Sequence, residues 1–284
     1  MNIARSRISA IMTLVLAVLA LYASLAGVLD KSLYKEAVDV GTISQVLLVG
    51  SVAQDLVTIP IAVVLVFVSI IFLRKPGHKL LISMMGLAWY FFYAYGLYVI
   101  QGQYTSIYIV YLSIFSLSIY SMIWGIISFK HGGSSMAELP KAVRLSVSVF
   151  LLMILFILGP AWIARMSQDI ARHIPGETYG VFILDLGIVF PALGQIAYML
   201  LKKKPLGYIL TGIALLKSFT LCLSWAFAQW YGAIQGIIAF DIAMIAISTG
   251  LTLVSFILFI PYMIKLKIDG AVKLNGGVSN EEAV

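Results

Sequence analysis

The sequence contains few charged residues, one cysteine and three histidines, and each scarcity excludes a class of protein. Only 11% of the 284 residues are charged, whereas soluble domains carry about 25%. The single cysteine, Cys222, excludes an intrachain disulfide. The histidines share no metal-ligand spacing, and no zinc-binding or nucleotide-binding motif occurs. The sequence therefore predicts neither a metal site nor a cofactor.

Long apolar runs, by contrast, are abundant. Hydrophobic residues make up 62% of the chain, against roughly 45–50% in soluble domains, and eight runs reach the length of about 20 residues that crosses a bilayer. The predicted fold class is an all-α polytopic membrane protein with eight transmembrane helices in a lipid bilayer. Their predicted ranges are 8–29, 53–73, 79–101, 104–128, 143–164, 181–201, 205–231 and 233–264. They form a single transmembrane domain, 1–264, followed by a cytoplasmic tail, 265–284.

The basic residues are distributed unevenly between the loops. If the N-terminus is cytoplasmic, fourteen of the 19 lysines and arginines fall on the cytoplasmic side, four fall outside and Lys217 falls inside a span. The positive-inside rule then predicts a plasma-membrane protein with both termini in the cytoplasm. Because the net charge of +7 is spread over short loops and not along one amphipathic face, nucleic acid is not an expected partner. The alternative reading of the first run as a signal peptide is disfavoured by its length of about 21 residues.

Two stretches of the sequence resemble each other and indicate an internal duplication. QDLVTIP around Asp55 and LDLGIVFP around Asp185 each begin an apolar run that ends in a Lys-Pro pair. The distance from the acid to that second proline is 21 residues in one stretch and 20 in the other. We predict two parallel four-helix repeats, 1–130 and 140–268. The alternative is that any two helices of this orientation with a basic turn look alike.

Four ionisable residues, Asp55, Asp185, Lys217 and Asp241, fall within the apolar spans. A charge at the bilayer centre costs about 2.5–3.5 kcal/mol, so such side chains are expected to face the bundle and to pair. Estimated from a rise of about 1.5 Å per residue, Lys217 and Asp241 lie at the same depth on consecutive helices. They are predicted either to form a structural ion pair or, with Asp185, to form a group that binds a proton or a substrate.

Tyrosines gather near the outer ends of the third and fourth spans. Tyr98 and Tyr104 are expected in the aromatic belt at the membrane surface. Tyr108 and Tyr111 share one helical face and are expected to lie deeper, where their hydroxyls need partners such as Asp55. The sequence thus predicts an outward-facing polar site. Its predicted binding residues are Asp55, Asp185, Lys217, Asp241, Tyr108 and Tyr111.

The order of these elements, with Asp-Leu spans, Lys-Pro turns and the aromatic third span WYFFYAYGLY at 89–98, resembles uncharacterised multi-pass membrane proteins of prokaryotes. The resemblance implies no activity. The residues favour a small-solute or proton-coupled transporter. The alternatives are a non-catalytic membrane subunit or sensor, and an intramembrane enzyme acting on a lipid-linked substrate. An enzyme is the less expected of these, because no metal set and no Ser/His/Asp arrangement accompanies the carboxylates.

Overall fold

The computed structural model describes residues 1–130 and 137–268, and eight helices of this part of the chain are long and apolar enough to cross a membrane. The chain is an integral, multi-pass membrane protein, and the predicted all-α polytopic fold is confirmed. The eight spans are α1 (Ile3–Leu29), α3 (Gln45–Arg74), α4 (His78–Ile100), α5 (Tyr108–Lys130), α6 (Lys141–Arg172), a sixth span at Tyr179–Leu201, α9 (Pro205–Ile234) and α10 (Ile242–Lys265). The predicted C-terminal tail lies outside the described residues beyond position 268.

The sixth span is not a uniform α-helix. It consists of α7 (Tyr179–Leu184), a π-helical turn (Asp185–Val189) and α8 (Phe190–Leu201). In the π turn the Phe190 amide donates a hydrogen bond to the carbonyl of Asp185, five residues earlier in the chain. In an α-helix the acceptor is the carbonyl four residues earlier. A single π turn inside an α-helix changes the direction in which the nearby side chains project. Such turns are frequent at functional sites. Here the turn begins at the residue that carries the buried acid.

Five predicted span limits differ from the helices in the structure by four residues or more. The first span begins at Ile3 instead of 8 and the second at Gln45 instead of 53. The fourth begins at Tyr108 instead of 104, the fifth continues to Arg172 instead of ending at 164, and the eighth begins at Ile242 instead of 233. The limits of an apolar run show where the chain leaves the hydrocarbon of the bilayer. The ends of a helix are set instead by capping residues and by the adjoining turns. The turn after α9 uses Gly236 with a positive φ of 70°, which keeps residues 235–241 out of both helices.

Both ends of the described chain lie on one face of the bundle, which we call the terminal face. The Asn2 amide donates to the Ser128 carbonyl at 2.9 Å, and strand β1 (Ala137–Glu138) pairs antiparallel with β2 (Lys267–Ile268). The opposite, distal face carries the short helix α2 (Lys31–Asp39) and the turns before α5, α7 and α10.

Helices α4 and α9 form the centre of the bundle. In α4, 83% of the most apolar stretch is buried, against 22% in α10, which places α4 inside and α10 at the edge. Around this centre, α1 packs along α3 and α5, α6 packs along α8, and α10 packs along α9. This arrangement leaves space among α6, the sixth span, α9 and α10, and the candidate site lies there.

Candidate functional site

A cavity of about 530 Å³ extends from the distal face into the bundle, between α3 and α4 of the first half and the helices of the second half. Its volume falls within the range of about 300–1,000 Å³ that is typical of small-molecule sites. Apolar and aromatic side chains form most of the walls, and a few polar groups project into the space. The polar and charged lining residues include Gln54, Gln101, Gln103, Arg165, Asp185, Lys217, Gln229 and Asp241.

Asp185 and Lys217 both line this cavity although each lies deep within a span. Their exposed fractions are only 7% and 2%. Lys217 is twelve residues into α9, about 18 Å from its terminal end by helical rise. The two opposite charges attract each other, but within the described residues no carboxylate approaches the ammonium to ion-pair distance. The cavity therefore brings together two of the predicted site residues without a direct salt bridge.

Asp185 is held by aromatic donors on two neighbouring helices. The Trp162 indole N–H of α6 donates to its Oδ2 at 2.7 Å, and the Tyr93 hydroxyl of α4 lies beside the same carboxyl group. These contacts fix the orientation of the carboxyl group. They also connect α4 and α6 across the sixth span, at the start of the π turn.

Lys217 is surrounded by aromatic rings. Its Nζ lies 4.8 Å from the centroid of Tyr93 and 5.6 Å from that of Trp89, distances at which the ring faces attract a cation. An ammonium has three N–H donors, and no acceptor in the described part of the chain receives a hydrogen bond from Nζ. The site thus contains a buried cation that is able to bind an acceptor-bearing ligand.

Cys222 also lines the cavity, about one helical turn beyond Lys217 on α9. Lys217 and Asp185 are its charged neighbours. Because it is the single cysteine of the chain, it reports on this cavity alone when thiols are labelled.

The predicted pair of Lys217 with Asp241 is wrong. Asp241 is the N-cap of α10, where its Oδ1 accepts from the amides of Ala243 at 2.9 Å and Met244 at 3.1 Å. The residue is exposed and lies at the distal rim of the cavity. Aspartate is among the best N-capping residues, so helix capping holds it at the edge of the span and the buried acid near Lys217 is Asp185.

Asp55 does not line the cavity, although its neighbours Ser51 and Tyr98 do, and it lies in a buried cluster beside helix α2. Its side chain is 1% exposed and accepts hydrogen bonds from Tyr34 at 2.5 Å and Tyr98 at 3.2 Å. The expectation that Tyr98 belongs to a surface belt is wrong, because only 2% of it is exposed. The two acids that share an Asp-Leu pattern therefore have different environments.

The two tyrosines predicted for the site do not line the cavity. Tyr111 packs in the cluster around Asp55, with its ring centroid 5.0 Å from that of Tyr98. Its hydroxyl has no hydrogen-bond partner in the described part of the chain. Tyr108 stacks on Tyr104 at 4.3 Å and donates to the Val99 carbonyl at 3.1 Å. Although the two residues are three positions apart on α5, Tyr111 is buried and Tyr108 is partly exposed, so they contact different neighbours.

Sequence reasoning missed Tyr34 and Trp162, which bind the two buried acids. Tyr34 occupies a segment that was assigned to a loop, and its role depends on α2 folding back over α1 and α3. Trp162 is on a different helix from Asp185, and no local pattern relates the two positions.

Comparison with protein-family models, with curated proteins and with solved structures finds no match to this chain. Within the described residues, no group of three histidine, cysteine, aspartate or glutamate side chains is placed to hold a metal ion. The cavity and its two buried ionisable side chains, Asp185 and Lys217, are therefore the features that bear on function.

Proposed function

We propose that the protein is a transporter that takes a small anionic solute from the distal face together with a proton. The observation that supports this is the location of Lys217 near the middle of its span and of Asp185 in the distal half of the sixth span. Both side chains are buried, and both line one cavity that reaches the distal face. Transporters commonly bind substrates near the bilayer midplane, often at broken helices. The π turn at Asp185 is a milder irregularity, since α7, the turn and α8 form one continuous helical span.

The charge balance of the site favours an anion. The N–H donors of the Lys217 ammonium have no acceptor in the described part of the chain. The Asp185 carboxylate, by contrast, already accepts a hydrogen bond from the Trp162 indole. An anionic group bound at Lys217 would leave one excess negative charge in a medium where an unpaired charge is costly. A proton on Asp185 removes that excess. In this mechanism the anion and the proton occupy the site together and leave it together.

The orientation of the protein is part of the proposal. We place the distal face outside the cell and both termini in the cytoplasm of a plasma-membrane protein, following the excess of basic residues in the loops of the terminal face. The cavity would then face the exterior. Solute would enter near Gln229 and Asp241 and descend to Lys217.

The internal duplication also remains a proposal. It is supported by the packing of α4 against α9 at the centre, with α5 beside α4 and α10 beside α9. Superposition of α1–α5 on α6–α10 without inversion should bring Asp55 close to Asp185. A best superposition that leaves the two acids on unrelated helix faces would overturn the duplication.

A second candidate is a membrane sensor that binds the same anion without carrying it. Below Lys217, towards the terminal face, the interior is closed by buried apolar side chains such as Leu81, Ile82 and Ile213. A transporter has to open this part of the bundle in another conformation, whereas a sensor does not.

Thiol labelling of Cys222 tests the proposed site. In proteoliposomes, an anionic methanethiosulfonate reagent should modify Cys222 at least about ten-fold faster than a cationic one, because Lys217 attracts the anion within a low-dielectric cavity. The Lys217→Met variant should lose this preference, and the exposed Lys203→Met variant should retain it. Equal rates for both reagents on the native protein would refute an anion site.

Proton movement separates the transporter from the sensor. Methanesulfonate is a suitable probe because it is a permanent anion that does not cross lipid as a neutral acid. An inward methanesulfonate gradient should acidify liposomes that contain the native protein and should leave those with Lys217→Met unchanged. Protection of Cys222 by methanesulfonate without acidification would favour the sensor.

A further inference from the structure

Helices α6 and α10 flank the cavity but do not close over it. Beyond Gly159, residues 160–172 of α6 include no buried side chain. Helix α10 buries one narrow stripe, which includes Ser248, Thr252 and Ser255 and faces α9. The two helices make few contacts with each other, so a seam remains between them at the side of the bundle.

The equivalent contact in the first half of the chain is closed. Helix α1 packs along α5, and the Ser9 hydroxyl donates to the Ser121 carbonyl at 2.7 Å. Gly125 lies at this contact, where a methyl group would collide with Met85 of α4 and would lie 3.1 Å from Ser9 Oγ. Small residues allow membrane helices to approach closely. The open α6–α10 seam is therefore a local feature of the second half.

The seam is apolar and continuous with the cavity. Ile154, Leu158 and Trp162 line it from α6, and Met244 and Leu251 line it from α10. The α6 residues cover about 12 Å along the helix axis. Counted from the terminal ends of their helices, Ile154 and Leu251 lie at about the height of Lys217. Hydrocarbon tails of lipid fill the space outside the bundle at this depth.

We infer that the α6–α10 seam admits an alkyl chain, so that the solute is a single-chain amphiphile with an anionic head. The head lies at Lys217, and the chain passes between Leu158 and Leu251 into the bilayer. The chain then stays in hydrocarbon while the head occupies the polar cavity, which avoids desolvating the head in lipid. This inference rests on the proposed function, because the head site is the proposed anion site.

A series of alkyl sulfonates tests the inference through protection of Cys222 in lipid nanodiscs. The concentration that half-protects Cys222 should fall about four-fold per added methylene from methanesulfonate to octanesulfonate. Longer chains also partition into the bilayer, which by itself lowers the concentration needed for protection. The decisive comparison is therefore with a variant in which bulky side chains fill the seam. In the double variant Leu158→Trp with Leu251→Trp, the ratio between the half-protecting concentrations of methanesulfonate and octanesulfonate, both measured on that variant, should lose most of its native value.

The matched control is Leu253→Trp, which adds the same side chain to α10 at a position that is 55% exposed. It should behave like the native protein. If the filled variant keeps the full dependence on chain length, the chain does not use the seam and the inference is overturned. If methanesulfonate fails to protect the native protein, the proposed anion site itself fails. Protection by methanesulfonate without any gain for octanesulfonate would overturn the inference alone.

A second measurement needs no variant and so does not depend on the folding of the filled protein. An octanesulfonate that carries a photoreactive diazirine at the chain end should cross-link to residues 154–162 of α6 and 244–251 of α10. Excess unlabelled octanesulfonate should suppress these cross-links. Cross-links distributed over the other lipid-facing helices, such as α5, and insensitive to competition would overturn the inference.

Discussion

The Tyr34 hydroxyl donates a hydrogen bond of 2.5 Å to Asp55, and this bond ties helix α2 to the interior of the bundle. Asp185 receives its hydrogen bond from Trp162, on a neighbouring membrane helix, and it lines a cavity that reaches the distal face. The same residue type in similar sequences thus has two roles. Asp55 anchors helix α2 to the bundle, whereas Asp185 belongs to the proposed binding site.

The Tyr34→Phe variant should lower stability without affecting the cavity. The change removes one donor from a buried carboxyl group and leaves it with Tyr98, which should cost about 1–3 kcal/mol. Unfolding in detergent measures the loss, and the matched control is Tyr22→Phe at an exposed position of α1. Unchanged stability, or a loss of the charge-selective labelling of Cys222, would contradict the assigned structural role.

Lys217 should be coupled energetically to Asp185 and not to Asp241. Lys217→Met removes the positive charge nearest to Asp185 and should destabilise the protein, by less than the roughly 3–5 kcal/mol typical of a broken buried ion pair because the two groups are not in direct contact. Lys217→Met combined with Asp185→Leu should recover part of that loss. Both variants should lack anion-dependent acidification. The measurement is a double-mutant cycle in detergent.

The cycle with Asp241→Ala is the control for that prediction. Removal of the α10 cap should cost about 0.5–2 kcal/mol, and this cost should add to that of Lys217→Met without an interaction energy. A coupling energy with Asp241 larger than that with Asp185 would show that the structure assigns the wrong acid to Lys217.

Gly212 should not tolerate a side chain. A methyl group there would collide with the ring of Tyr262 and lie 2.6 Å from Ile82 Cγ2, at the contact of α9 with α10 and α4. Gly212→Ala should therefore destabilise the protein by about 1–3 kcal/mol. Gly250→Ala is the matched control, since nothing lies within 4 Å of the added methyl and alanine is the better helix former. Equal stability of the two variants would argue against this close packing.

Labelling from the two sides of the membrane should establish the orientation. In a Cys222→Ala background, Tyr104→Cys on the distal face should react with an impermeant thiol reagent added outside intact cells. Lys75→Cys on the terminal face should react only after the cells are opened. Both positions are exposed in the structure. The opposite pattern would place the cavity on the cytoplasmic side and reverse the proposed direction of solute entry.

The sequence alone determined the all-α class, the eight spans and the burial of Lys217. A bilayer imposes a minimum apolar length on each crossing, and that requirement can be read without knowledge of the neighbours of a helix. The same reasoning identified Asp55 and Asp185 as unusual residues, because a carboxylate in an apolar run is costly wherever the helix packs.

The tertiary structure decided which of these residues lie together. The sequence matches Lys217 with Asp241 by depth. In the structure the Asp241 side chain accepts from backbone amides at the start of α10, and helix packing places Asp185 near Lys217 instead. The contrast between Asp55 and Asp185 also arises from contacts between segments distant in sequence, with α2 over one and Trp162 beside the other. Depth along a helix is a local property of the sequence. The packing of all eight helices decides which neighbours a side chain faces and which partner it contacts.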